Sequence, residues 1–347
     1  MKKIKNNKAI SLFVVTLFLV LGLAVPLPYY IEAPGSAVRL NELIEVNNEV
    51  DKNQGSFMLT TVSIRRATPL IYFSKYLPFH EGVTKKELFG TTESSEEYDN
   101  LQKYYMDSSV NAAIELAYKT ANEKYTLTYK GIYVMSILPE SNFSEKLFVG
   151  DTVTALDGQK FKSSAEFIDY VKSKSPGQDI AVTYQRENKE NTISAPLIEI
   201  EQTKTPGLGI SLVDRTSIET DIPVSIDSDN IGGPSAGFMY TLQIYAQLTK
   251  QDLRKNNEIA GTGTISPDGT IGRIGGIDKK VVAASKEGAT IFFAPDDSID
   301  SVIKKNYPNA QSNYEEALKA AKKINTEMKI IPVKQFQDAI NYLNQLK

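Results

Sequence analysis

The sequence predicts a multidomain protein of mixed α/β and α+β class, anchored by an N-terminal transmembrane helix. Three observations predict it. Four lysines precede a charge-free apolar run from Ala9 to Leu27. A stretch over 126–202 has β-β-α-β order around tight turns, and 203–347 alternates strand-like and helix-like segments around two glycine-rich turns.

Composition narrows the chemistry. The 347 residues suggest two or three domains. They include one histidine, His80, and neither cysteine nor tryptophan. Without thiols there is no cysteine nucleophile, disulfide or thiolate metal site, and a single imidazole leaves zinc poorly served. A nucleophilic enzyme built from these residues would use lysine or carboxylate as its base. Hydrophobic residues make up 41% and charged residues 23%, an ordinary globular mixture. Net charge is −3, so nothing suggests nucleic-acid binding as a main task.

Lys2, Lys3, Lys5 and Lys8 form a cytoplasmic flank over 1–8, and 9–30 is expected to be the transmembrane helix. The apolar run, at 1.5 Å per residue, reaches about 28 Å, close to the hydrocarbon thickness of a bilayer. Lysines on one flank only put the N-terminus inside and the rest outside the cell. Pro26 and Pro28 stop the helix, and Tyr29 and Tyr30 suit the far interface. The alternative is a cleaved signal peptide, for which Gly22-Leu23-Ala24 offers a small-x-small site, although the run exceeds a usual signal core.

Residues 31–125 read as a β-rich N-terminal extracellular region, with alternation clearest at Thr60–Ile64. Residues 82–100 are polar and acidic and read as a surface excursion. A helix is expected from Met106, capped by Ser108 or Ser109, with Val110, Ala113, Ile114 and Ala117 on one face.

In 126–202, strands are expected at Gly131–Ile137 and Thr152–Leu156, the second closed by Asp157-Gly158. A helix opens at Ser163 or Ser164 and carries Phe167, Ile168 and Val171. Strands follow at Ile180–Tyr184 and Thr192–Leu197. This order around "GDTVTALDG" resembles a PDZ domain of the circularly permuted bacterial kind. The resemblance implies that a peptide adds as an extra strand beside a loop that caps its terminal carboxylate. Tyr129-Lys130-Gly131-Ile132 is the candidate loop, with Lys130, Gly131 and Ile132 as peptide-binding residues. Thr203–Ile210, "TKTPGLGI", reads as a linker.

In 203–347, strand-like Ile222–Ile226 leads into Gly232-Gly233-Pro234-Ser235-Ala236-Gly237 and then an apolar helix. Ser235 thus lies at a helix N-terminus, where unpaired amides favour an oxyanion. The small flanking residues, Gly233 and Gly237 among them, admit a substrate backbone. Such a turn could also cradle phosphate, but no Lys-Ser/Thr follows it and no magnesium-ligand set is apparent. Asp227 and Asp229 read as turn residues rather than metal ligands, and His80 as a loop residue. Downstream, a hairpin turns at Pro267-Asp268-Gly269, and Gly275-Gly276 opens a helix beginning with Lys279 and Lys280. Desolvation at a helix N-terminus would lower a lysine's pKa toward that of a general base.

The ordered blocks "GGPSAG", "TGT", "GRIGGIDKK" and "VAASKEGATIFFAP" resemble the peptidase domain of the Lon family of Ser-Lys peptidases. With the anchor and middle domain, the whole resembles the membrane-anchored, PDZ-containing Lon-like proteases of Gram-positive bacteria, the YlbL/SepM type. By that resemblance Ser235 is the nucleophile, Lys280 rather than Lys279 the general base, and Thr262 a hydroxyl that orients the lysine. The resemblance implies a Lon-type proteolytic domain over 203–347 and an ATP-independent serine endopeptidase, since GxxxxGK[ST] is absent from the sequence. Pheromone maturation or envelope-protein processing would be its task. No cofactor, metal or nucleotide is expected. The expected partners are peptides or unfolded segments, the membrane, and possible further copies of the chain. The rival function is a non-catalytic PDZ scaffold binding envelope proteins.

Overall fold

β1 (Tyr29–Arg39) and β2 (Ser56–Arg66) form a long antiparallel pair, from Tyr30 opposite Arg66 to Arg39 opposite Met58. The structure is a computed structural model that describes residues 12–13, 15–17, 20–90, 94–228, 231–299, 304–305 and 309–346. In it, β3 (Glu81–Thr84) pairs antiparallel with the start of β1. On the other side β2 receives three parallel strands from the far end of the chain: β9 (Glu258–Gly261), β10 (Ile291–Pro295) and β11 (Lys329–Val333). The six strands run in the order β11-β10-β9-β2-β1-β3.

Alternation along these strands loads both faces. Phe57, Leu59, Ile259 and Phe293 point to one side, where α1 (Ser95–Ala121), α3 (Gly237–Thr249) and α6 (Phe336–Leu343) cover them. Met58, Ala260, Phe292 and Ala294 point to the other, against α4 (Ile277–Lys286) and α5 (Asn313–Lys323). The result is an α/β/α sandwich. A buried Arg254–Asp51 ion pair at 2.7 Å, with Gln243 donating to the same carboxylate, ties the loop before β2 to α3.

Between α1 and α3 the chain makes a second sheet. Its strands are β4 (Tyr125–Ile137), β5 (Thr152–Leu156), β6 (Asp179–Arg186), β7 (Lys189–Pro196) and β8 (Ile210–Thr220), in the order β8-β4-β5-β6-β7, with α2 (Ser164–Lys172) alongside. The strands and helix expected between 131 and 197 are all present. Ser163 caps α2 as foreseen, and Asp157 and Gly158 both take positive φ in their turn.

Several boundaries need correcting. Residues 31–125 are not a separate region, because β1, β2, β3 and α1 are built into the same sandwich as the C-terminal strands. The linker expected at Thr203–Ile210 leads directly into β8, which belongs to the middle sheet. That sheet is an insertion whose first and last strands lie side by side, Tyr125 opposite Thr220. The surface excursion over 82–100 contains β3, a helical turn at Lys85–Phe89 and the start of α1, whose cap is Ser94 rather than Ser108 or Ser109. Acidic first-turn residues Glu96 and Glu97 favour that earlier start.

The expected cytoplasmic flank and the first residues of the expected transmembrane helix lie outside the described residues. Residues 12–13, 15–17 and 20–24 are helical. Among the described residues no helix is long and apolar enough to cross a membrane.

Candidate active site

The parallel strand β9 is short. It ends at Gly261 opposite Leu59, while β2 continues to Arg66. Past this end the sheet no longer separates its two helical layers, and side chains from opposite faces meet. Ser235 comes from the turn before α3 on one face, Lys280 from the first turn of α4 on the other, and Thr262 follows the last residue of β9.

Lys280 Nζ lies 2.7 Å from Ser235 Oγ and 2.9 Å from Thr262 Oγ1. The Thr262 hydroxyl donates to the Ser235 carbonyl at 3.1 Å, so its lone pairs face the lysine. The amide of Gly263 donates to the same carbonyl at 3.0 Å, which fixes the serine backbone to the strand end. Lys280 is only 4% exposed, and burial brings its pKa down to about 7. No carboxylate pairs with it among the described residues. A neutral amine beside a serine hydroxyl can take that hydroxyl's proton.

Lys279 is the contrasting case. Its ammonium faces Glu81 at 3.1 Å and Glu32 and Asp278 at 3.7 Å each. Burial opposes its charge, but these carboxylates outweigh burial and hold its pKa above the usual lysine value. The two adjacent lysines, equally buried, therefore divide into an amine that faces hydroxyls and an ion-paired cation.

The glycines serve the turn in different ways. Gly233 has φ of +85°, a conformation that a side chain would strain. Gly237 is helical, but a Cβ there would lie 2.4 Å from Ser109 Oγ, so α1 can approach closely. Ser109 donates to the Pro234 carbonyl at 3.0 Å, and the Gly233 amide donates to the Gln102 carbonyl. Sequence reading missed this bracing by α1. Its only signal is a serine separated by 125 positions from its partner.

The chain resembles two families over successive segments. A model of the PDZ domain matches residues 115–197, and a model of the Lon protease (S16) C-terminal proteolytic domain matches residues 201–344. The chain carries a PDZ domain and a Lon-type serine peptidase domain. The Lon match starts before β8, whereas β8 pairs along its length with β4 in the PDZ sheet. Hydrogen bonding assigns β8 to the PDZ domain.

Among similar proteins, the Lon protease of Metamycoplasma arthritidis is 29% identical over 135 residues, 39% of this chain and 14% of that protein. The peroxisomal Lon protease homolog 2 of Caenorhabditis elegans is 30% identical over 133 residues, covering 38% of this chain and 15% of that protein. The matched part is thus a small fraction of these relatives' length. The crystal structure of the PDZ domain of an SdrC-like protein from Listeria monocytogenes is 42% identical, covering 25% of this chain and 90% of that one, with a TM-score of 0.24.

The expected peptide loop of the PDZ domain does not sit at a free edge. Gly131 and Ile132 pair with Arg215 and Asp214 of β8, and Ile132 pairs with Val153 of β5 on its other side. An interior strand has no unpaired edge to offer a peptide. Lys130 and Gly131 instead line a cleft of about 1330 Å³ between α1 and the PDZ sheet. The edge strand on the β4 side of the sheet is β8, entered through Gly207-Leu208-Gly209, with Gly209 at φ of +73°. The glycine pair in "PGLGI" was the available signal. His80 lies in the turn before β3, with Nδ1 2.9 Å from the Pro78 carbonyl oxygen, and takes no part in the dyad.

Proposed function

We propose that this chain is a membrane-anchored, ATP-independent endopeptidase that cuts extracytoplasmic peptides or flexible protein segments with a Ser235–Lys280 dyad. The observation that supports it best is the pairing of a buried, low-pKa Lys280 amine with Ser235 Oγ and Thr262 Oγ1.

In this reading Ser235 Oγ attacks the scissile carbonyl while its proton passes to Lys280 Nζ. The proton is then delivered to the leaving amine, and Lys280 activates water to release the acyl-enzyme. The Gly233 amide is already committed to Gln102 and Pro234 has no N–H, so oxyanion donation falls to the amide of Ser235. The substrate approaches in extended form along β2 beyond Leu59, where β9 has ended and, among the described residues, no strand pairs on that side.

The PDZ domain would hold a peptide tail on the outer edge of β8 next to α2. Tyr104 and Asn111 of α1 donate to the carbonyls of Asp214 and Thr216, and the Ser164 amide donates to the Asp214 carboxylate. These contacts occupy β8 from Asp214 onward and leave Ile210–Val213 for the tail. The charge-free N-terminal run, flanked by lysines, supports an anchor with its N-terminus in the cytoplasm. Pheromone maturation and envelope-protein processing are the tasks that fit this placement.

The test is turnover of a flexible fluorogenic peptide by purified protein. Ser235→Ala and Lys280→Ala should each remove activity while leaving circular dichroism and the unfolding temperature near wild type. Wild-type rates in either variant would refute the dyad.

A further inference from the structure

Apart from the N-terminal helix, the densest exposed apolar surface lies at Pro69–Leu77. Thr68 caps a short helix, Pro69–Tyr72, which continues as a 3-10 turn, Phe73–Tyr76. No residue of either is buried. Phe73 is 66% and Tyr76 76% exposed, and Leu70 and Leu77 are exposed beside them. A water-soluble surface has no use for four large apolar residues in one short segment.

This segment is joined to the N-terminal helix. Leu70 packs where Gly22 leaves room, since a Cβ on Gly22 would lie 2.9 Å from Leu70 Cγ. The Leu27 amide donates to the Ala67 carbonyl, and the Ala67 amide donates to that of Tyr29, each at 2.8 Å. The rings of Tyr29 and Tyr72 lie 5.1 Å apart. The two apolar surfaces therefore form one.

Helical spacing identifies what covers it. Phe13, Val15, Leu17, Val20, Leu21 and Leu23 are all exposed, and at 100° per residue they point around the whole helix. A second protein would cover one face, whereas hydrocarbon covers every face. Cations lie where lipid phosphates would meet the segment. Lys75 Nζ is 3.8 Å from the centre of the Tyr72 ring, and Arg66 Nε donates to the Leu27 carbonyl. Tyrosines and basic residues next to an apolar surface suit the bilayer interface.

We propose that Pro69–Leu77 is embedded in the outer bilayer interface as a second contact, laying the peptidase domain against the lipid. This rests on the membrane-anchor reading above. It also limits the substrate. Three residue steps along β1, about 10 Å of strand, separate Tyr29 from Glu32. Glu32 pairs with Lys279, the neighbour of the catalytic base. Cleavage is thus directed to segments held close to the membrane surface.

The absence of tryptophan makes the test direct. Full-length Phe73→Trp, Val15→Trp and Phe148→Trp variants are reconstituted in phosphatidylcholine–phosphatidylglycerol vesicles with or without brominated acyl chains, and peptide turnover verifies that each is folded. Interfacial burial predicts that bromine removes roughly half or more of the indole emission of Phe73→Trp, most strongly when placed near the headgroups. Val15→Trp should respond to deeper bromines, and Phe148→Trp, on the PDZ domain, to neither. Leu77→Trp replaces Phe73→Trp if that variant is inactive. Quenching at position 15 without quenching at 73 or 77 overturns the proposal and spares the anchor. No quenching at 15 overturns the anchor and the proposal together.

Discussion

Lys280 gives up its proton near physiological pH because protein, not water, surrounds its amine, and its neighbours are hydroxyls rather than carboxylates. Two consequences follow at this scale. The first is kinetic: kcat/KM should rise with pH through about 7, as Lys280 loses its proton, and then level off. A flat profile from pH 5 to 9 would remove Lys280 as the base. The second is thermodynamic. Folding lowers this pKa from 10.5, so between about 7 and 10.5 the unfolded chain holds a proton that the folded chain lacks. Stability contributed by this residue therefore rises with pH across that window and is lowest below it. Lys280→Met should accordingly raise the unfolding temperature most below pH 7, with the gain shrinking toward pH 10. Lys279 shows that sequence position alone does not set such behaviour, since three carboxylates hold it charged.

At the scale of elements, the site depends on one strand stopping and two helices crossing closely. β9 ends at Gly261, which opens the passage between helical layers. α1 then braces the Ser235 turn through Ser109, a contact made possible by the missing side chain of Gly237. Gly237→Ala should push α1 away from the turn, at a cost of about 1–3 kcal/mol from overpacking. Thermal unfolding should show the loss, and peptide turnover should fall further than stability alone explains. An unchanged turnover would mean that α1 does not position Ser235. Many of these elements were legible beforehand, because period-two alternation marked β2 and a serine cap marked α2. α1 was legible only in its second half. Its first half begins in a polar stretch with no apolar face, and tertiary contacts rather than local pattern extend it.

The whole molecule is a peptidase sandwich interrupted by a PDZ domain. The sandwich closes with strands from both ends of the chain, and the insertion enters and leaves through neighbouring strands at Tyr125 and Thr220. Replacing 125–220 with a short flexible turn should therefore leave a folded unit that still cuts short peptides. Its efficiency on substrates with a free C-terminal tail should drop through a higher KM, because the tail's local concentration at the dyad is lost. Loss of all activity would show that the PDZ domain supports the dyad itself.

The sequence by itself determined the chemistry. One histidine and no cysteine pointed to a lysine or carboxylate base, and the resemblance of "GGPSAG" and "GGIDKK" to the Lon peptidase domain pointed to Ser235 and Lys280. It also displayed the PDZ strands, whose alternation and turns are local. Tertiary structure alone decided that residues 31–125 belong to the peptidase sandwich, that β8 rather than β4 is the PDZ edge, and that of two buried lysines Lys280 faces hydroxyls while Lys279 faces carboxylates. Strand neighbours and burial depend on contacts between residues far apart in the chain, and no local pattern encodes them.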